Sequence, residues 1–126
     1  MLTNEDYVDL ATARLLKQKG YDEPTQRWYS FSKRGVIKYK SSDSINANSL
    51  AFGVSAPTLY EAQKWLREQH GYHVAVQPTI SMESWYWCVT GHKSTHREDD
   101  NRNPQTYTEA LLAGIKEALT LLPDKQ

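Results

Sequence analysis

The run Ser84-Trp85-Tyr86-Trp87-Cys88-Val89-Thr90 decides the fold. It places two of the chain's four tryptophans on alternate positions of one short segment. Alternate side chains of a β-strand share a face, so Trp85 and Trp87 fall on one side and Tyr86 and Cys88 on the other. Rings then project from both sides of the strand, and both sides call for cover. Upstream, Tyr72 to Val76 alternates, with Val74 and Val76 on one side and His73 and Ala75 on the other. Pro78 ends that run. The two segments read as a hairpin joined through residues 79–83.

Helices flank it. Thr58-Leu59-Tyr60-Glu61 is a capping box that opens a helix after Pro57, with Leu59, Ala62, Trp65 and Leu66 on one face and Gly71 as its stop. Thr106-Tyr107-Thr108-Glu109 opens another. Tyr107, Leu111, Ile115, Leu119 and Leu122 form its apolar ridge, and Ala110, Gly114 and Ala118 form a row of small residues beside it. An interior glycine costs about 1 kcal/mol of helix propensity relative to alanine, so Gly114 points to a close approach by a neighbouring element.

Earlier in the chain, Val8, Ala11 and Leu15 recur at helical spacing in a segment ending near Lys19, with Gly20 as the stop. Thr3, Asn4 or Asp9 serves as its cap. Arg27 to Ser32 and Val36 to Lys40 read as strands joined around Lys33-Arg34-Gly35, a first hairpin. Residues 41–56 read as a surface loop with Leu50-Ala51-Phe52 as a short edge strand, and Gly91 to Gln105 as a mobile polar loop. The order α-β-β-α-β-β-α makes residues 1–126 a single α+β domain: an antiparallel sheet of about four strands with helices on one face.

Composition sets limits. Fifteen basic and fifteen acidic residues cancel, which argues against strong non-specific nucleic-acid binding by the whole surface and leaves room for a local patch. A single cysteine, Cys88, forms no intramolecular disulfide and fits a reducing compartment. No long apolar run reads as a membrane span, and Met1 to Asp6 does not read as a signal-peptide start. The expectation is a cytoplasmic protein without membrane partners.

Three groups of residues carry candidate chemistry. Trp85, Tyr86 and Trp87 form a candidate interaction surface. Arg27, Trp28, Tyr29, Lys33, Arg34, Lys38, Tyr39 and Lys40 interleave cations with rings across the first hairpin, a pattern that holds phosphates and stacks bases. His92, His96 and Asp99 offer metal-binding groups, although Lys93 and Arg97 oppose a cation there. No nucleophile elbow and no phosphate-cradling glycine loop is present. The residues call for no cofactor and lean away from an enzyme.

The segments Ala13 to Pro24, Ala56 to Arg67 and Tyr107 to Leu111 resemble small uncharacterised proteins encoded by bacterial phages, prophages and related mobile elements. The resemblance spans most of the chain outside its two polar loops. It implies a bacterial host cytoplasm and brings no activity or catalytic residue. The leading expectation is a non-enzymatic accessory or interaction protein that self-associates, as a dimer. Single-stranded nucleic-acid binding through the 27–40 hairpin ranks second, and a metal-assisted hydrolase third.

Overall fold

A computed structural model describes residues 2–80, 83–91, 95–97, 104 and 106–124. The class and element order are those expected, α+β with three helices and antiparallel sheets. The two hairpins belong to separate three-stranded sheets, each extended by one short strand. Contacts cluster into two compact units, residues 1–58 with 122–126 and residues 59–121.

In the first unit, α1 spans Leu10–Gln18. Of the three candidate caps, Asp9 is the one used, its carboxylate accepting the Thr12 N–H at 2.9 Å. Tyr7 and Val8 therefore lie outside the helix, and its buried residues are Thr12, Ala13 and Leu16. The expected 8–11–15 stripe is displaced because Ala11 faces solvent. Gly20 (φ 98°) ends the helix. Its N–H donates to the Lys17 carbonyl and the Tyr21 N–H to the Leu16 carbonyl, satisfying two carbonyls of the last turn. Lys19 Nζ then meets the Leu122 carbonyl at 2.7 Å and Asp124 Oδ1 at 2.8 Å. Hydrogen bonds from Lys19 and Gln18 hold the Asp124 carboxyl below its ordinary range.

Strands β1 (Thr25–Ser32), β2 (Gly35–Ile45) and β3 (Gly53–Ser55) form the first sheet in the order β2-β1-β3. Two expectations change here. The strand expected over Val36 to Lys40 continues through Ser41 to Ile45, and the third strand is Gly53–Ser55 rather than Leu50 to Phe52. The serine-rich continuation lacks β propensity; backbone pairing of Thr25 with Ile45 sustains it across an irregularity in the ladder.

The placement of β3 follows from Asn48. Its Oδ1 accepts the Ser55 N–H at 2.8 Å and its Nδ2 donates to the Tyr21 carbonyl at 2.8 Å. Gly53 lies so near the Ala47 carbonyl that a Cβ would come within 2.7 Å of the oxygen. Asn48→Ala strips both backbone groups of their partner, and each such loss costs about 1–3 kcal/mol. We expect a stability loss of about 2–3 kcal/mol in urea unfolding; a variant within 0.5 kcal/mol of the parent would show that β3 is held otherwise.

In the second unit, α2 (Leu59–His70) buries Leu59, Ala62, Trp65 and Leu66, the face read from the sequence. Gly71 (φ 71°) ends it. Strands β4 (His73–Pro78), β5 (Trp85–Thr90) and β6 (Thr95–Arg97) follow as a meander. The stretch expected as a polar loop thus contains a strand, β6, paired to β5. Pairing of Val74 with Val89, Val76 with Trp87 and Pro78 with Trp85 puts these six residues on one face. Helix α3 (Tyr107–Thr120) lies on that face, its N-terminus capped by Thr106, whose hydroxyl accepts the Glu109 N–H at 3.1 Å. A Cβ on Gly114 would meet Val74 Cγ1 at 2.7 Å and Trp87 Cβ at 3.2 Å. The glycine lets the helix backbone settle directly on the sheet, which is the close approach its position announces.

Candidate nucleic-acid interface

The structure divides the Trp85-Tyr86-Trp87 surface. Trp87 lies beneath Gly114, and the Trp85 ring meets Tyr107 edge to face with centroids 5.4 Å apart. Both indoles are half-buried on the α3 side of the sheet. Tyr86 occupies the opposite face, where its hydroxyl bonds Gln77 Oε1 at 2.9 Å. Its neighbours on that face are His73, Ala75, Gln77, Cys88 and Thr90, a set of small and polar groups.

The β1–β2 hairpin is more open. Every residue from Ser32 to Lys40 is exposed. Gly35 (φ 120°) supplies the left-handed step of the turn, and Ser32 Oγ accepts the Arg34 N–H at 3.2 Å. Between residues 27 and 40 stand Arg27, Lys33, Arg34, Lys38 and Lys40 and no carboxylate.

Register sorts these side chains. Trp28 pairs with Tyr39 and Ser30 with Ile37, so one face carries two rings stacked at 5.7 Å and an interplanar angle of 13°. Arg27 pairs with Lys40 and Tyr29 with Lys38, so the other face carries three cations around a phenol. Among the described residues no carboxylate forms a salt bridge with Arg27, Lys38 or Lys40. Like charges placed directly across an antiparallel pair destabilise it. Among the described residues no salt bridge offsets this arrangement.

Arg27 is the most constrained of the three. Its carbonyl accepts from Thr25 Oγ1 at 2.7 Å and from the Ala56 N–H at 2.9 Å. Its guanidinium lies 3.9 Å from the Tyr7 ring centroid and donates from Nη1 to Asn4 Oδ1 at 2.8 Å. Asn4 belongs to a short 3₁₀ turn, Asn4–Asp6, closed by the Asp6 carboxylate accepting the Thr3 N–H at 2.8 Å. Burial raises the Tyr29 phenol above its ordinary range; Asp9 adds to the shift and Arg27 opposes it. Asn4, Arg27, Lys38, Tyr39 and Lys40 line an open groove of about 260 Å³. Three consecutive β2 residues lining one groove place it at the strand's unpaired edge, since alternate side chains point to opposite faces.

Asn4 and Tyr7 are the members that sequence reading missed. They lie 23 and 20 positions before Arg27, and no local pattern ties an isolated Asn or Tyr to a distant arginine. His92 and Asp99 lie outside the described residues; the His96 backbone pairs with Val89 in β6. Among the described residues no group of three His, Cys, Asp or Glu side chains is placed to hold a metal ion. His70 packs edge-on against Trp65 at 4.6 Å, and burial lowers its pKa. No described helix is long and apolar enough to cross a membrane. Compared with known proteins, the chain matches no family model, no curated relative and no solved structure.

Proposed function

We propose that this chain is a non-enzymatic binding domain that holds single-stranded nucleic acid along the open edge of β2. The observation that supports this most is the groove lined by Arg27, Lys38 and Lys40 with no carboxylate among its walls. Tyr39, 41% exposed and stacked on Trp28, offers a ring face beside it. A strand laid along this edge runs its phosphates past the cations and turns a base toward the ring. Stacking of that kind contributes about 1–3 kcal/mol per base and tolerates any base. The zero net charge of the chain confines attraction to this hairpin, so affinity should fall steeply with salt.

Fluorescence anisotropy with a labelled single-stranded oligonucleotide tests the reading. Binding should appear at 50 mM salt and weaken linearly on a log–log plot. Each phosphate contact contributes about 0.7 to the slope. Arg34→Ala with Lys38→Ala should therefore flatten the slope by about 1.4 without altering thermal unfolding. No binding at low salt, or a slope unchanged in the double variant, rejects the proposal.

A second reading keeps the phage-type accessory protein that self-associates. It draws on exposed apolar groups of the first unit, Val36 and Ile37 at 46% and Phe52 at 71%. Lys38 and Lys40 on the β2 edge work against direct strand-to-strand pairing of two copies. Light scattering at micromolar concentration distinguishes the two: a dimer carries the second reading and a monomer ends it.

A further inference from the structure

The groove at the foot of the hairpin has features beyond those a phosphodiester chain requires. Arg27 and Lys40 face each other across the ladder on the same side of the sheet, with Lys38 one diagonal step away. Just beyond that pair the ladder is interrupted: the next β1 partner along is Thr25, bound to Ile45 rather than to a residue near Ser42. The N-terminal turn contributes Asn4 at this place. Its Oδ1 is committed to Arg27, which fixes the amide so that the two Nδ2 donors remain for a ligand. Arg27 Nε is buried and has no hydrogen-bond partner; Tyr7 and Asn4 orient the guanidinium, and among the described residues no acid forms a salt bridge with it.

We infer that this groove seats a terminal phosphate monoester of the bound strand, with Arg27, Lys38 and Lys40 sharing its charge and Asn4 donating to its oxygens. The inference rests on the proposed strand binding. Two features favour a terminal group. A monoester carries about −1.5 to −2 at pH 7, against −1 for an internal diester, and matches three converging cations more nearly. The register of β1 with β2 also shifts just past Lys40, which breaks the even pleat that a strand laid along β2 would follow, although β2 itself runs on to Ile45. The like-charge pair across the ladder is the stability sacrificed for this contact.

The test compares three 12-nucleotide single strands of one sequence, carrying a 5′-phosphate, a 3′-phosphate or hydroxyls at both ends. One phosphorylated form should bind about tenfold more tightly than the hydroxyl form, as expected for an added charge-assisted contact. The end that gains identifies the polarity of the strand. Lys40→Gln should abolish the difference, as should Arg27→Gln, each weakening the phosphorylated strand by about tenfold more than the hydroxyl-ended one. Circular dichroism melting checks that both variants remain folded; Lys40→Gln should melt no lower than the parent.

In parallel, thymidine 5′-monophosphate is titrated against ¹⁵N-labelled protein while the Arg27 side-chain Nε–H resonance is followed. Equal affinity for all three oligonucleotides with no shift of this resonance overturns the inference and leaves strand binding intact. A shift of the resonance without binding of any oligonucleotide at low salt upholds the phosphate seat and overturns strand binding. Silence in both experiments rejects both.

Discussion

Gly114→Val should lower the stability of the 59–121 unit by about 3 kcal/mol, a large share of the roughly 5–15 kcal/mol that an ordinary domain possesses. The argument weighs two opposed effects. Removing a glycine from the interior of α3 improves helix propensity by about 1 kcal/mol for alanine and by less for the β-branched valine. Against this, even the first added carbon would stand 2.7 Å from Val74 Cγ1 and 3.2 Å from Trp87 Cβ. Val74 is itself β-branched, with little rotamer freedom, and both contacts belong to paired strands. The helix must lift from the sheet to make room. Its ridge of Leu111, Ile115 and Leu119, each fully buried, would lift with it. Gly114→Ala, with one carbon, should still lose about 1 kcal/mol despite its better propensity. Urea unfolding followed by tryptophan emission measures both, since Trp85 and Trp87 lie in this contact. An alanine variant more stable than the parent would show that α3 does not rest where Gly114 places it.

The same glycine illustrates how far the sequence could be read. A helix-breaking residue in the middle of a strong amphipathic pattern has few explanations, and close packing is one of them. Strand alternation in Tyr72 to Val76 and Trp85 to Val89 likewise specified the register of β4 and β5, because a one-residue slip would turn every valine outward. Two kinds of feature were hidden. Pairing over Ser41 to Ile45 depends on a partner strand and on a ladder irregularity, and a Ser-Ser-Asp-Ser segment carries no apolar period to announce it. Asn48, which positions β3, acts through a side chain that imitates a strand partner. The candidate site shows the same division. Its cations and rings were plain in residues 27–40, whereas their sorting onto two faces needed the register, and Asn4 and Tyr7 needed the fold.

Charge reversal on the hairpin should move binding and stability in opposite directions. Lys40→Glu sets a carboxylate across the ladder from Arg27, whose cross-strand neighbour is at present another cation. Opposite charges in that position contribute about 0.2–1 kcal/mol, and like charges act with the reverse sign. The variant should therefore unfold at equal or higher urea concentration than the parent. Lys38→Glu added to it removes a second cation from the groove wall. For the nucleic acid, two charge-assisted contacts are lost and two repulsive charges gained. At about 1.4 kcal/mol per tenfold change, loss of the contacts alone lowers affinity by roughly 100-fold. The repulsion lowers it further, most strongly in dilute salt. Anisotropy at 50 mM salt and urea unfolding on the same preparation read both effects. A double variant that loses stability along with binding would mean that the lysines support the sheet, and the unrelieved Arg27–Lys40 juxtaposition would then not be a ligand's place held open. A double variant that binds as the parent does would remove the groove from the interface altogether, because no other cluster on this hairpin combines an arginine fixed by a ring with two lysines along an open strand edge.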